Sequence, residues 1–375
     1  MNRARLFVLP LIMMGWVSSG QGMQFKGDTG YDSNPFEQAS PDGGDSYSAW
    51  QLSHRGEHQF GKKQKLQYSA LVEGRVYDSL KDADHYQMKA RLRWVNRFRL
   101  GEKTANVMVT GDLRSERQTY FSVSQNQVAE TSAGESLSNR FNYDAGKLSM
   151  EMVYRFTRQA SLSLYSYVAH RNYIEDYQEL GLESLDYDEY NLQPTFRYKS
   201  EKSVYFRLFV YHKQRHYHEL KNDAMNGRNM ASVLQYDFDG VGMSLNYPID
   251  KKWSVNFYLH GYNARDNGEG YRDLNYRKGE LKLGYTTAEL SHWSFTSECY
   301  RRDYLEDSYR PPESETGDTG RLRQGCEFSV AFEQPLWMFD GMTWNAKATH
   351  HFENNSDDAF NFERETFSLG ATYVF

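Results

Sequence analysis

The chain has 375 residues with 44 basic and 50 acidic side chains, a formal net charge of −6, so no basic field points to nucleic acid. Only 39% of residues are hydrophobic, and no internal stretch reaches the roughly 18 apolar residues of a transmembrane helix, which excludes a helical membrane protein. The 29 Tyr, 22 Phe and 7 Trp are too many for a disordered chain, and 8 Pro and 2 Cys exclude collagen-like and disulfide-dense classes.

In chain order, Arg3 and Arg5 precede a compact apolar run from Leu6 to Val17. The small residues Ser18-Ser19-Gly20-Gln21-Gly22 follow, with cleavage expected after Gly20 or Gly22. Residues 1–22 therefore read as a signal peptide and 23–375 as a single domain. No Cys lies near the cleavage site, so no lipoprotein anchor is expected.

From there on, apolar and polar residues alternate with the period of a two-faced strand. Leu66, Tyr68, Ala70, Val72 and Val76 alternate with Gln67, Ser69, Glu73 and Arg75. Tyr86, Met88, Ala90, Leu92 and Trp94 alternate with Gln87, Lys89, Arg91 and Arg93. The pattern recurs from Trp253 to His260, from Met342 to Thr349 and from Phe367 to Phe375; Leu71, Val95, Val153 and Phe209 break it. Strands are predicted near 22–32, 47–60, 65–78, 84–100, 105–120, 138–156, 160–174, 186–200, 203–217, 228–247, 252–264, 273–289, 292–305, 321–334, 341–353 and 361–375.

Tight connections, such as Gly61-Lys62-Lys63-Gln64 and Gly101-Glu102-Lys103-Thr104, alternate with long polar ones at 33–46, 121–137, 175–185, 218–227, 265–272 and 306–320. Short turns at one end and long loops at the other are the asymmetry of bacterial outer-membrane barrels. A propeller or sandwich would also alternate. Its strands average about five or six residues, however, and its dry core would not tolerate the charges of the polar phase here. The predicted fold is all-β: a transmembrane antiparallel up-and-down β-barrel of about sixteen strands, with fourteen as the alternative, integral to the outer membrane of a Gram-negative cell.

Sorting by phase predicts a lumen lined by Arg75, Lys89, Arg91, Arg93, Arg97, Arg99, Arg114, Arg155, Arg207 and Lys282. Lys65, Arg197, Lys199 and Lys347 share the phase, as do Glu73, Glu151, Glu280, Glu298, Glu327 and Glu333. Tyr165, Tyr167, Tyr205, Tyr211, Tyr258 and Tyr262 join them, a reasonable track for sugar rings. Guanidinium groups grip carboxylate, sulfate or phosphate in bidentate fashion. The competing reading is a ladder of Arg–Glu pairs that satisfy one another across a narrow interior. The segment 84–100 favours the first, with five cations and no acid on that face.

Cys299 and Cys326 lie symmetrically about the loop 306–320, on the phase of Phe295 and Phe328. A cross-strand disulfide is expected in the oxidising periplasm. His212, His216 and His218 share a face near the outer rim, but no carboxylate companion in phase is visible, so no metal site is expected there. The acidic runs Asp186-Tyr187-Asp188-Glu189 and Glu313-Ser314-Glu315 read as solvated rim features, with divalent cations bridging lipopolysaccharide as the other reading. No G-x-S-x-G, phosphate-binding Gly loop or paired-Cys motif is present, and neither an enzyme nor a cofactor is expected.

The ending Ala371-Thr372-Tyr373-Val374-Phe375 resembles the closing strand of Gram-negative outer-membrane proteins. That resemblance implies that Phe375 is read by the barrel-assembly machinery. Gly30-Tyr31-Asp32-Ser33-Asn34-Pro35-Phe36 is similar to the opening of barrels encoded with exopolysaccharide genes, and to the barrel domain of surface-lipoprotein assembly modifiers. The chain departs from the modifiers in lacking their helical repeat domain. Outer-membrane lipid and lipopolysaccharide are the expected surroundings, and polysaccharide secretion components the expected partners. The leading expectation is a passage for anionic oligosaccharide or exopolysaccharide. A structural or assembly barrel that binds a partner protein comes second, and an outer-membrane hydrolase third.

Overall fold

A computed structural model of the protein describes residues 22–37, 43–119, 121–122, 127–128, 136–174, 182–223, 229–268, 273–305, 322–336, 338–356 and 361–375. The expected leader, apart from Gly22, and the run Glu313-Ser314-Glu315 lie outside the described residues. Sixteen strands form one closed antiparallel barrel. They are β1 (Gly22–Asp32), β2 (Asp45–Gln59), β3 (Gln64–Tyr77), β4 (His85–Leu100), β5 (Lys103–Gln118), β6 (Tyr143–Arg155), β7 (Ala160–Tyr173) and β8 (Tyr187–Lys199). There follow β9 (Tyr205–Asp223), β10 (Asn229–Pro248), β11 (Trp253–Asp266), β12 (Leu274–Thr286), β13 (His292–Tyr304), β14 (Leu322–Pro335), β15 (Met342–Asn355) and β16 (Phe362–Val374). Each pairs with the next, and β1 closes the cylinder on β16.

The count is sixteen, so the fourteen-strand alternative falls away. Boundaries differ where a local contact overrides the alternation. The strand expected from 138 begins at Tyr143, because Asn142 N–H turns back to donate to the Asn139 carbonyl at 2.9 Å. The strand expected to end at 217 runs on to Asp223, through register shifts after His216 that break the period-two pattern.

The outward face explains why the barrel belongs in a bilayer. Leu92, Leu113, Leu148, Leu164, Leu192, Val210, Val241, Leu281, Val330 and Leu369 form an apolar belt around the cylinder, most of them 40–50% exposed or more. A continuous exposed belt of that extent suits hydrocarbon and not water. Rings mark its edges. Tyr198, Tyr247, Trp253, Trp293, Tyr373 and Phe375 lie at the end with the short turns, and Tyr31, Tyr86 and Tyr190 near the other. The short-turn end, which holds both Gly22 and Phe375, is the periplasmic one.

The periplasmic turns are shaped by specific groups. Gly61, Gly101 and Gly341 take positive φ. In the turn after Pro248, Trp253 and Lys252 N–H both donate to Asp250 Oδ1 at 2.7 Å, which holds that carboxyl below its ordinary range. Leu290 takes φ 65° with a side chain that is 69% exposed, a conformation that costs a branched L-residue energy. Leu290→Gly is therefore expected to stabilise the barrel by up to ~1 kcal/mol, read as a higher urea midpoint for loss of the folded band on a cold gel. A lower midpoint would mean that the leucine gains more from the membrane interface than its backbone loses.

Candidate functional site

Residues paired across the ladder share a face, so register fixes what lines the lumen. Arg91 is opposite Asp112, Arg93 opposite Thr110, Glu151 opposite Tyr165, and Tyr258 opposite Glu280. All the cations expected in the lumen carry the lumen phase. The four apolar exceptions, Leu71, Val95, Val153 and Phe209, face inward as well. Phe209 is accommodated there because Arg207 lies over its ring at 4.7 Å, and the rings of Tyr211 and His260 stack beside it. Its ring also lies over Gly242, where a Cβ would come within 2.3 Å of it, and Tyr211 covers Gly240 in the same way.

In the extracellular half, many lumen charges are paired. Asp32, fully buried, accepts from Arg364 Nη2 at 2.6 Å and from the Tyr77 hydroxyl at 2.8 Å, with Arg75 Nη1 at 3.8 Å. Glu189 accepts from Arg215 Nη2 at 2.8 Å and from the Tyr167 hydroxyl at 2.5 Å, with Lys213 Nζ at 3.2 Å. Arg114 reaches Glu116, Lys278 reaches Glu298, and Arg323 reaches Glu353.

The lumen face of β4 carries five cations and no acid of its own, but the neighbouring strands supply partners to three of them. Lys89 lies 3.9 Å from Glu73 of β3, Arg91 is paired with Asp112 of β5, and Arg93 donates to Thr110 Oγ1 at 3.2 Å. Arg97 and Arg99 keep no carboxylate partner among the described residues. They sit at the periplasmic end, and the same is true of Arg55, Arg155, Lys199, Arg207, Lys282 and Lys347 there. Arg97, Arg99, Arg155, Lys199 and Lys347 are exposed to the lumen. The lumen is thus graded: ion pairs cluster above, where Lys147, Arg171 and Arg302 lie over aromatic rings instead, and below, cations without a carboxylate partner among the described residues outnumber Glu333.

Above that basic zone runs an aromatic arc across eight successive strands. It links Tyr173 to Tyr143 (ring centroids 5.9 Å), then, across Arg171, Tyr187 to Tyr217 (5.4 Å) and Tyr217 to Tyr236. It continues through Phe238 and Tyr262 to Tyr276 (4.8 Å) and Tyr300. Arg171 and Arg215 lie over the Tyr187 ring, and Lys147 over Tyr167 at 4.1 Å. Tyr258 stacks on His260 and lines a recess with Tyr205, Asn246, Asn256 and Glu280. Lys147, Arg171, Lys213, Arg215 and Arg302 are lumen cations absent from the sequence-based set, and most of the arc was likewise missed. Their phase alone would have found them, since Lys213 and Arg215 follow Arg207 at even spacing.

On the outward face Cys299 and Cys326 stand directly opposite each other and are joined, with Cα atoms 4.1 Å apart. His212, His216 and His218 also point outward. The missing carboxylates come from adjacent strands: His212 Nδ1 is 2.8 Å from Asp239, and His218 Nε2 is 3.1 Å from Asp188. Asp188 and Glu189, neighbours in sequence, go to opposite faces.

Closed wall, lipid-facing belt and polar, charged interior define an integral outer-membrane barrel of the sixteen-stranded porin architecture. No protein-family model and no curated protein matches the chain. Among solved structures it is similar to a BenF-like porin from Pseudomonas fluorescens Pf-5, at 7% identity and a TM-score of 0.52, covering 96% of this chain and 100% of that one. OccAB3 and OccAB4 of Acinetobacter baumannii align at TM-scores of 0.49 and 0.46, with 10% and 11% identity. They cover 96% and 95% of this chain and 100% and 99% of their own. At these identities the likeness is one of fold.

Proposed function

We propose that the barrel is a non-enzymatic outer-membrane channel for small anionic solutes, with acidic oligosaccharides as the substrate class. The observation that carries this reading is the basic zone without carboxylate partners among the described residues, above all Arg97 and Arg99 of β4 and Arg155 of β6. The register sets Arg99 and Arg155 in one row across Thr104 of β5. Guanidinium groups in that setting favour carboxylates. The aromatic arc supports a sugar-bearing solute, because ring faces beside polar groups suit pyranose faces. Passage of longer exopolysaccharide would use the same two elements.

Planar-bilayer recording of the purified protein tests the reading. An open pore that prefers anions is expected. Arg97→Gln, Arg99→Gln and Arg155→Gln combined should lower the anion-to-cation permeability ratio by roughly threefold or more, because the cleft loses the charges that focus its field. An acidic oligosaccharide should block current more strongly than its neutral counterpart. Absence of conductance would overturn the channel reading and favour a barrel that scaffolds a partner protein. Unchanged selectivity in the triple variant would remove the basic zone from the account.

A further inference from the structure

On the outer surface, three strands bring together two histidines and a carboxylate that do not take part in the lumen. We propose that His170 of β7, Asp188 of β8 and His218 of β9 form a binding site for a divalent transition metal of the zinc type. Their ligand atoms all lie within 4.8 Å of one another. His170 Nδ1 is 2.9 Å from Asp188 Oδ1, and His218 Nε2 is 3.1 Å from Asp188 Oδ2. The two imidazole rings stack at 5.4 Å between centroids, 25° from parallel.

The arrangement is held by backbone rather than by side-chain chance. Asp188 is directly opposite His170 on one side and His216 on the other, and His218 follows two residues on, on the same face. His218 N–H donates to the Asp186 carbonyl at 2.9 Å, which extends the β8–β9 ladder past the end of β8. An ion held ~2.1 Å from tetrahedral ligands separates them by roughly 3.4 Å, so a widening of a few tenths of an ångström turns these contacts into coordination. All three side chains are 39–52% exposed, so an ion can enter from outside the barrel. They lie beyond Val168 and Tyr190 of the same faces, towards the extracellular loops.

The donor set selects the metal. Two neutral imidazoles and one carboxylate suit zinc, copper or nickel, whereas calcium and magnesium take six or more oxygens. Three protein ligands leave the fourth position of a tetrahedral ion to water or to an anionic oxygen from the surroundings. His216, packed against the Tyr190 ring at 5.8 Å, borders the site. The neighbouring His212–Asp239 pair, with Asp237 4.0 Å from His212, is a separate cluster with only one imidazole.

Calorimetric titration of the full barrel in detergent with zinc, joined to the visible spectrum of added cobalt(II), tests the site. One zinc per chain is expected, with the intense visible bands of a four-coordinate cobalt complex. His170→Ala, Asp188→Asn and His218→Ala should each weaken zinc binding by roughly tenfold or more, while His212→Ala leaves it unchanged. Retention of the compact band of the unheated protein on a gel certifies that each variant is folded. Absence of zinc binding by the unmodified protein would overturn the site and leave Asp188 as a plain hydrogen-bonded bridge. Binding that survives the three variants, or that falls equally with His212→Ala, would overturn it too.

Discussion

Arg364→Met is expected to destabilise the barrel by ~3–5 kcal/mol, the cost of leaving a buried carboxylate without its partner. Asp32 has no exposed side-chain surface, and Arg364 binds both of its oxygens, Nε to Oδ1 at 3.0 Å and Nη2 to Oδ2 at 2.6 Å. The Tyr77 hydroxyl and the Asn34 N–H also donate to Asp32, but neither carries the compensating charge. Asp32→Asn should cost less, because Arg364 keeps a second partner in Glu37 at 2.9 Å. Urea midpoints of the three proteins in lipid vesicles give the order: unmodified, then Asp32→Asn, then Arg364→Met. If the two variants proved equal, Arg75, 3.8 Å away, would be taking over the charge of Asp32 when Arg364 is gone.

Removing the disulfide should have an effect of similar size. It closes a loop across a sequence separation of 27 residues, and the chain-entropy account gives ~3–4 kcal/mol for a loop of that size. Reduction of the unmodified protein and the double substitution Cys299→Ala, Cys326→Ala should therefore lower the urea midpoint equally. Dithiothreitol should leave the double variant unaffected. Equal midpoints with and without the bond would mean that β13 and β14 stay paired in the urea-unfolded chain, where the bond then restricts nothing.

Strand number and facing were readable because two solvents impose two chemistries at period two. In β4, lipid takes Tyr86, Met88, Ala90, Leu92 and Trp94, and the lumen takes Lys89, Arg91, Arg93, Arg97 and Arg99. Charge pairing was not readable in the same way. A slip of two residues between β4 and β5 keeps every side chain on its face, yet it would separate Arg91 from Asp112. Alternation therefore predicts five lumen cations on β4 and cannot say that two of them are neutralised. The same ambiguity hid Asp188 from His218, since their meeting depends on the alignment of separate strands. The upper part of β9 was lost for another reason: its register shifts interrupt the phase from which the strand was read.

The Asp32–Arg364 contact joins positions 332 residues apart. Nearly the whole polypeptide must be delivered across the inner membrane before this bond can form. Until β16 arrives, β1 presents a row of idle amides and a carboxylate without its chief counter-charge, so the growing sheet needs an outside hand on that edge. Closure is correspondingly late, and a chain ending before Phe362 would stay an open sheet with two reactive margins, prone to stick to its neighbours.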